Sequence, residues 1–185
     1  MRIPSIAALA VAALVSVGCK PKSTFIVLTD KPVDVDVKDA GGQVVVHALA
    51  LADKGTFDVP QGDVTVVARS AAGSRTVTVH VVNGADRVLP GPGVCAVSYD
   101  LTDSYVEKHR ATWEANLPSV RAISKDGSPV PGDAIHVAWS VAELPDEIPT
   151  GGTATVTLIE RIPCDADSHA LNADLLERLK KRFPG

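Results

Sequence analysis

Valine recurs at every second position through long stretches of this chain, and the residues between the valines are polar. Val33, Val35 and Val37 alternate with Asp34 and Asp36, which predicts a strand with one apolar and one acidic face. Val77, Val79 and Val81 alternate in the same way with Thr76, Thr78 and His80. Apolar runs at Thr24–Thr29, Val44–Leu51, Thr56–Val59 and Val64–Ala68 read as further strands. Turn residues punctuate them at short intervals: Ala40-Gly41-Gly42, Asp53-Lys54-Gly55, Pro60-Gln61-Gly62-Asp63, Ala72-Gly73-Ser74 and Asn83-Gly84. Strands spaced so evenly, with no helical period among them, predict an antiparallel β-sandwich module over residues 24–89.

Leu89-Pro90-Gly91-Pro92-Gly93 then interrupts the pattern. Its prolines lack amide donors, so a linker or wide loop is expected there. A second β-rich unit follows over 94–166. Cys95, Val97, Tyr99 and Leu101 alternate with Ala96, Ser98 and Asp100, a one-faced strand by this pattern. Val120–Ser124, Ala134–Val141 and Thr153–Ile162 are also strand-like, with loops at 125–133 and 144–152; Ile135, Val137, Trp139 and Val141 are expected on one face. Ser104 and Glu107 have capping-box spacing, and Val106, Trp113 and Leu117 recur at helical intervals, predicting a short helix to about Asn116. The tail, 167–185, holds the clearest helix, Asn172 to Phe183. Leu171, Leu175, Leu176, Leu179 and Phe183 make its apolar stripe; Asp174 and Glu177 lie early and Arg178, Lys180, Lys181 and Arg182 late, as the helix dipole favours. That basic end is a possible docking surface, but the dipole alone accounts for it. The fold class expected is mainly β, with a short helix in the second unit and an amphipathic C-terminal helix.

The chain start has a different character. Met1-Arg2 supplies positive charge, Ile3 to Val17 is almost wholly apolar, and Gly18-Cys19 closes the run. At 1.5 Å per residue such a run falls short of ~30 Å of hydrocarbon. It has instead the make-up of a secretory signal. The segment resembles the signal peptide and lipobox of bacterial lipoproteins, with Val17 and Gly18 fitting and Ser16 standing where leucine is usual. The resemblance implies cleavage after residue 18, a diacylglycerol with palmitate-type acyl chains on Cys19, and a protein of the bacterial cell envelope held on a membrane and facing periplasm or exterior. The alternative is ordinary secretion with Cys19 free or paired. A tether of residues 19–23 would keep the domain close to lipid, with Lys20 and Lys22 solvating it or touching anionic headgroups.

Composition narrows the rest. Acidic residues outnumber basic ones by 22 to 18, and no long basic run occurs, which argues against a nucleic-acid partner. With Cys19 lipidated, the three cysteines leave Cys95 and Cys164 as a candidate disulfide; two buried thiols are the alternative. The stretch Gly55-Thr56-Phe57-Asp58-Val59-Pro60-Gln61-Gly62-Asp63-Val64-Thr65-Val66-Val67-Ala68 is similar to a motif of PEGA-type and carboxypeptidase-regulatory-like β-sandwich modules. That resemblance implies a non-catalytic surface or scaffold module and brings no functional residues.

Candidate chemistry is sparse. His47, His80, His109, His136 and His169 are scattered, without His-Glu-x-x-His or Cys-x-x-Cys spacing, so no metal site is expected. Asp30, Asp34, Asp36 and Asp39 match no calcium loop and read as a solvated face. No Gly-x-Ser-x-Gly and no phosphate-binding glycine loop occurs, so no catalytic residue and no cofactor is expected. Trp113, Trp139, Tyr99 and Tyr105 are candidates for a sugar-stacking surface, although Trp139 reads as core. The expectation is a membrane-anchored envelope lipoprotein, not an enzyme, with a binding or structural role toward a protein or cell-wall partner. The alternative is an envelope hydrolase or carbohydrate-active protein whose site forms only in three dimensions.

Overall fold

In the computed structural model, residues 22–82, 87–106, 119–132, 136–148 and 155–184 are described. Their twelve strands form three sheets, with one α-helix at the C-terminal end. The outer sheet has the order β3 (Val44–Leu51), β2 (Val33–Lys38), β5 (Gly62–Ser70), β6 (Gly73–Val81), antiparallel throughout. The middle sheet runs β10 (Val130–Pro131), β7 (Arg87–Pro90), β1 (Lys22–Leu28), β4 (Lys54–Pro60). The third runs β11 (His136–Ala138), β12 (Val156–Ile162), β8 (Cys95–Asp100), β9 (Ser119–Ser124). Helix α1 (Ser168–Arg182) covers the third sheet.

Burial explains the layering. Phe25, Val27, Val59 and Leu89 from the middle sheet meet Val33, Val35, Val37, Val64, Val66 and Val79 of the outer one. The intervening residues Ile26, Leu28 and Val88, with Val130, face the other way and pack on Ala96 and Ile159 of the third sheet. A strand buried on both faces reads as a continuous apolar run, as Phe25-Ile26-Val27-Leu28 does. The third sheet's far face carries Val97, Tyr99, Leu101, Val156 and Leu158 against Leu175, Leu179 and Phe183 of the helical tail.

Several expectations are corrected. The segment Leu89–Gly93 is not simply a linker: Leu89 and Pro90 belong to β7, which runs parallel to β1. Pro90 is tolerated because it ends the strand, and the ladder passes to the Gly91 amide, which donates to the Leu28 carbonyl at 2.8 Å. The Pro90 and Gly91 carbonyls accept from Arg75 Nη1 at 2.7 and 2.8 Å. Lys54 and Gly55 belong to β4, and the turn tightens at Asp53, whose φ is 68°. Strand β8 is not one-faced. Ala96 and Ser98 are wholly buried, small enough to admit the middle sheet, and Ser98 Oγ donates to the Pro131 carbonyl.

Val137 and Trp139 share a face, but Val141 does not: β11 stops at Ala138, and the 3-10 turn Val141–Glu143 sends Val141 into the opposite core. Ser104 lies in a 3-10 turn, Thr102–Tyr105; the remainder of the helix expected there, with Trp113 and Leu117, is outside the described residues. Helix α1 starts earlier than expected, because the Asp167 side chain caps it by accepting from the Ala170 amide at 3.1 Å.

Candidate binding groove

The three cysteines divide as follows. Cys19 lies outside the described residues. Cys95 and Cys164 are disulfide-bonded with Cα atoms 5.2 Å apart. The bridge joins the first residue of β8 to the segment just after β12, antiparallel neighbours in which Cys95 stands opposite Ile162.

Beside this bridge lies an open groove of about 470 Å³ between β12, the start of α1 and Trp139. Ile162, Pro163 and Leu171 give it an apolar floor, and Glu160, Arg161, Asp174 and Arg178 ring it with charge. The alternation of β12 separates two of these. Glu160 falls on the helix face, where its carboxylate takes two parallel bonds from Arg178, Nη1 at 2.7 Å and Nη2 at 2.8 Å. The same guanidinium donates through Nε to Asp174 at 2.9 Å, one helical turn earlier. The Glu160 bond, ahead of the cost of burial, holds the Arg178 guanidinium above its ordinary pKa.

Arg161 points to the middle sheet. It donates to the Thr29 carbonyl and pairs with Asp53 at 3.0 Å. Trp139 is half-buried against the interface of the middle and third sheets, with Lys54 Nζ 4.5 Å from its ring centroid. Its amide donates to the Glu143 carboxylate at 2.8 Å. Behind the groove, burial pushes the Tyr99 hydroxyl up to about 12, reinforced by nearby Glu160.

Chemically this is a surface of one indole, a few aliphatic side chains and mutually paired charges. Both carboxylates are already engaged by Arg178, and among the described residues the lining holds no histidine, serine or cysteine. Among the described residues, no three His, Cys, Asp or Glu side chains are grouped to hold a metal ion, and no helix is long and apolar enough to cross a membrane.

On the acidic strand face, Asp30 and Asp34 are exposed as expected, whereas Asp36 is half-buried. Asp36 takes Nδ1 of His47 at 2.6 Å and Nη1 of Arg69 at 2.7 Å; with His47 foremost, these hold its carboxyl below the usual range. Asp34 accepts from the Ala50 amide at 2.9 Å. His80 pairs with Asp63 at 2.7 Å across neighbouring strands. His109 and the His136 side chain are outside the description.

The sequence offers Trp139 as a stacking candidate but does not reveal the groove it lines. Its available signals were Glu160-Arg161 interrupting an apolar strand and the four-residue spacing of Asp174 and Arg178. Set against family models, curated proteins and solved structures, the chain gives no match.

Proposed function

We propose that this chain is a membrane-anchored lipoprotein of the bacterial cell envelope with a non-catalytic binding role, presenting its groove away from the membrane. The observation that carries this reading is the register of the middle sheet. Lys22, three residues after Cys19, stands opposite Pro60, whereas Leu28 at the other end of β1 stands opposite Lys54, the residue lying over Trp139. A seven-residue strand at ~3.3 Å per residue separates Lys22 from the groove end of β1 by roughly 20 Å, which supports an anchor remote from the groove. The disulfide, which suits an oxidising compartment, supports the same location.

Fractionation and complementation test the two halves separately. Cys19→Ala should move the protein from the membrane to the soluble fraction, since acyl chains at ~0.8 kcal/mol per buried CH₂ outweigh anything two lysines supply. In a deletion strain, single His→Ala or Ser→Ala variants outside the signal should complement, and Trp139→Ala with Arg161→Glu should not. Loss of complementation by one histidine or serine, with normal expression and thermal stability, would favour the hydrolase or carbohydrate-active alternative.

A further inference from the structure

We infer that the anchor-side end of the outer and middle sheets, carrying Val44, Val45, Gln61 and Val82, seats directly in the lipid headgroup layer; this rests on the lipid-anchor reading above.

Register brings these residues to one end. Lys22 opens β1 opposite Pro60, and the Ser23 hydroxyl donates to the Val82 carbonyl at 2.8 Å. Gly62 stands opposite Val81, while Lys38 pairs with both Thr65 and Val44. The turn over 39–43, the turn at Gln61 and the end of β6 therefore share the end from which the tether leaves.

That end gathers most of the exposed large apolar side chains, beside the exposed Asp63–His80 pair. Among the described residues four large hydrophobic side chains are exposed, and three are here: Val44 at 48%, Val45 at 41% and Val82 at 45%. A register shift between Val37 and Lys38 breaks the alternation, so consecutive Val44 and Val45 are both exposed. Ala40, Gly41, Gly42, Gln43 and Gln61 carry no charge, and the Asp39 carboxylate is turned back onto the Gln43 amide at 2.9 Å. At the far end, Asp30, Lys31, Asp53 and Lys54 are all exposed to water, near the exposed Leu49.

Tether length keeps that end close to the lipid. Cys19 to Lys22 spans about 10 Å at full stretch. The headgroup zone on one side of a bilayer is itself roughly 6–7 Å thick. A strand starting so soon after a lipidated thiol emerges near the headgroup surface, with Val82 beside it and Val44 and Val45 at the same end of the outer sheet. The occupant is the lipid surface to which the chain is tethered, rather than a second protein.

The test is hydrogen exchange on the full-length lipidated protein in vesicles of phosphatidylethanolamine and phosphatidylglycerol, against soluble Cys19→Ala protein. Amides over 41–45 and at Val82 should exchange at least fivefold more slowly on vesicles, with 139–143 unchanged. Val45→Asp with Val82→Asp should still sediment with vesicles yet exchange at the soluble rate, its fold verified by unchanged protection at Val64 and Val66; Val45→Thr with Val82→Thr serves if the acidic pair unfolds. Wild-type protein that sediments while exchanging at the soluble rate overturns the seat and leaves the anchor standing. Protection that persists in protein extracted into detergent and scales with protein concentration indicates a second copy, and also overturns it. Cys19→Ala protein that sediments as well as wild type removes the anchor and the seat together.

Discussion

Tyr99 shows how far a single side chain can be out of balance with its surroundings. It is fully buried in the third sheet, and its hydroxyl has no hydrogen-bond partner among the described residues. An unmet buried hydroxyl costs about 1–3 kcal/mol, so Tyr99→Phe should be neutral or stabilising by about 1 kcal/mol at pH 7, read by chemical denaturation. The same burial sets an alkaline limit. An unfolded tyrosine ionises near 10, whereas Tyr99 is held up to about 12. Between those values the unfolded chain releases a proton that the folded one keeps, so stability falls with rising pH across the window and levels off above it. Each pKa unit is about 1.4 kcal/mol, making this loss at most roughly 3 kcal/mol. Tyr105, also pushed up to about 12, adds a similar slope, although its hydroxyl donates to the Pro145 carbonyl at 2.8 Å. Tyr99→Phe should therefore flatten the stability profile from pH 10 to 12 without abolishing the slope; an unchanged profile would mean that water reaches the hydroxyl.

At the level of elements, the local pattern was a good guide wherever one face of a strand meets core and the other meets water. Val33, Val35 and Val37 were legible for that reason, as was the leucine stripe of α1. Legibility failed where both faces are buried. In β8 the second face is lined by Ala96 and Ser98, whose small size mimics a solvent-facing pattern. The parallel pairing of β1 with β7 was equally hidden, because alternation says nothing about which strands become neighbours. The disulfide was legible by counting cysteines, and its position now gives it a magnitude. Cys95 and Cys164 are 69 residues apart, and closing such a loop is worth roughly 4 kcal/mol in the chain-entropy model. Replacing both with alanine should lower the denaturant midpoint accordingly while retaining the β8–β12 register, because their ladder already continues to Ile162 opposite Cys95. Equal midpoints with and without reductant would show that the unfolded chain is constrained by other means.

For the molecule as a whole, the middle sheet decides how the parts depend on one another. The sequence suggests a boundary near Leu89, yet β10 comes from beyond it and pairs with β7 before it, Val130 opposite Val88. Ile26, Leu28 and Val88 find their apolar partners Ala96, Val130 and Ile159 in the later part of the chain. Arg161 ties the third sheet to the far end of β1 through the Thr29 carbonyl and Asp53. A fragment of residues 22–90 would thus expose a complete apolar sheet face at about 25 cal/mol per Å² of uncovered surface, and nothing of its own could cover it. Such a fragment should bind a hydrophobic dye or aggregate, whereas a chain of residues 22–185 should unfold in one cooperative transition with coincident far-ultraviolet and tryptophan signals. Two separated transitions, or a monomeric fragment 22–90 with native-like amide protection in β1, would show that the outer and middle sheets stand alone. The groove depends on the same coupling. Trp139 and Lys54 come from opposite sides of the Leu89 break and meet only because the middle sheet is shared, so a change that loosens β7, such as Val88→Asp, should weaken groove and stability together.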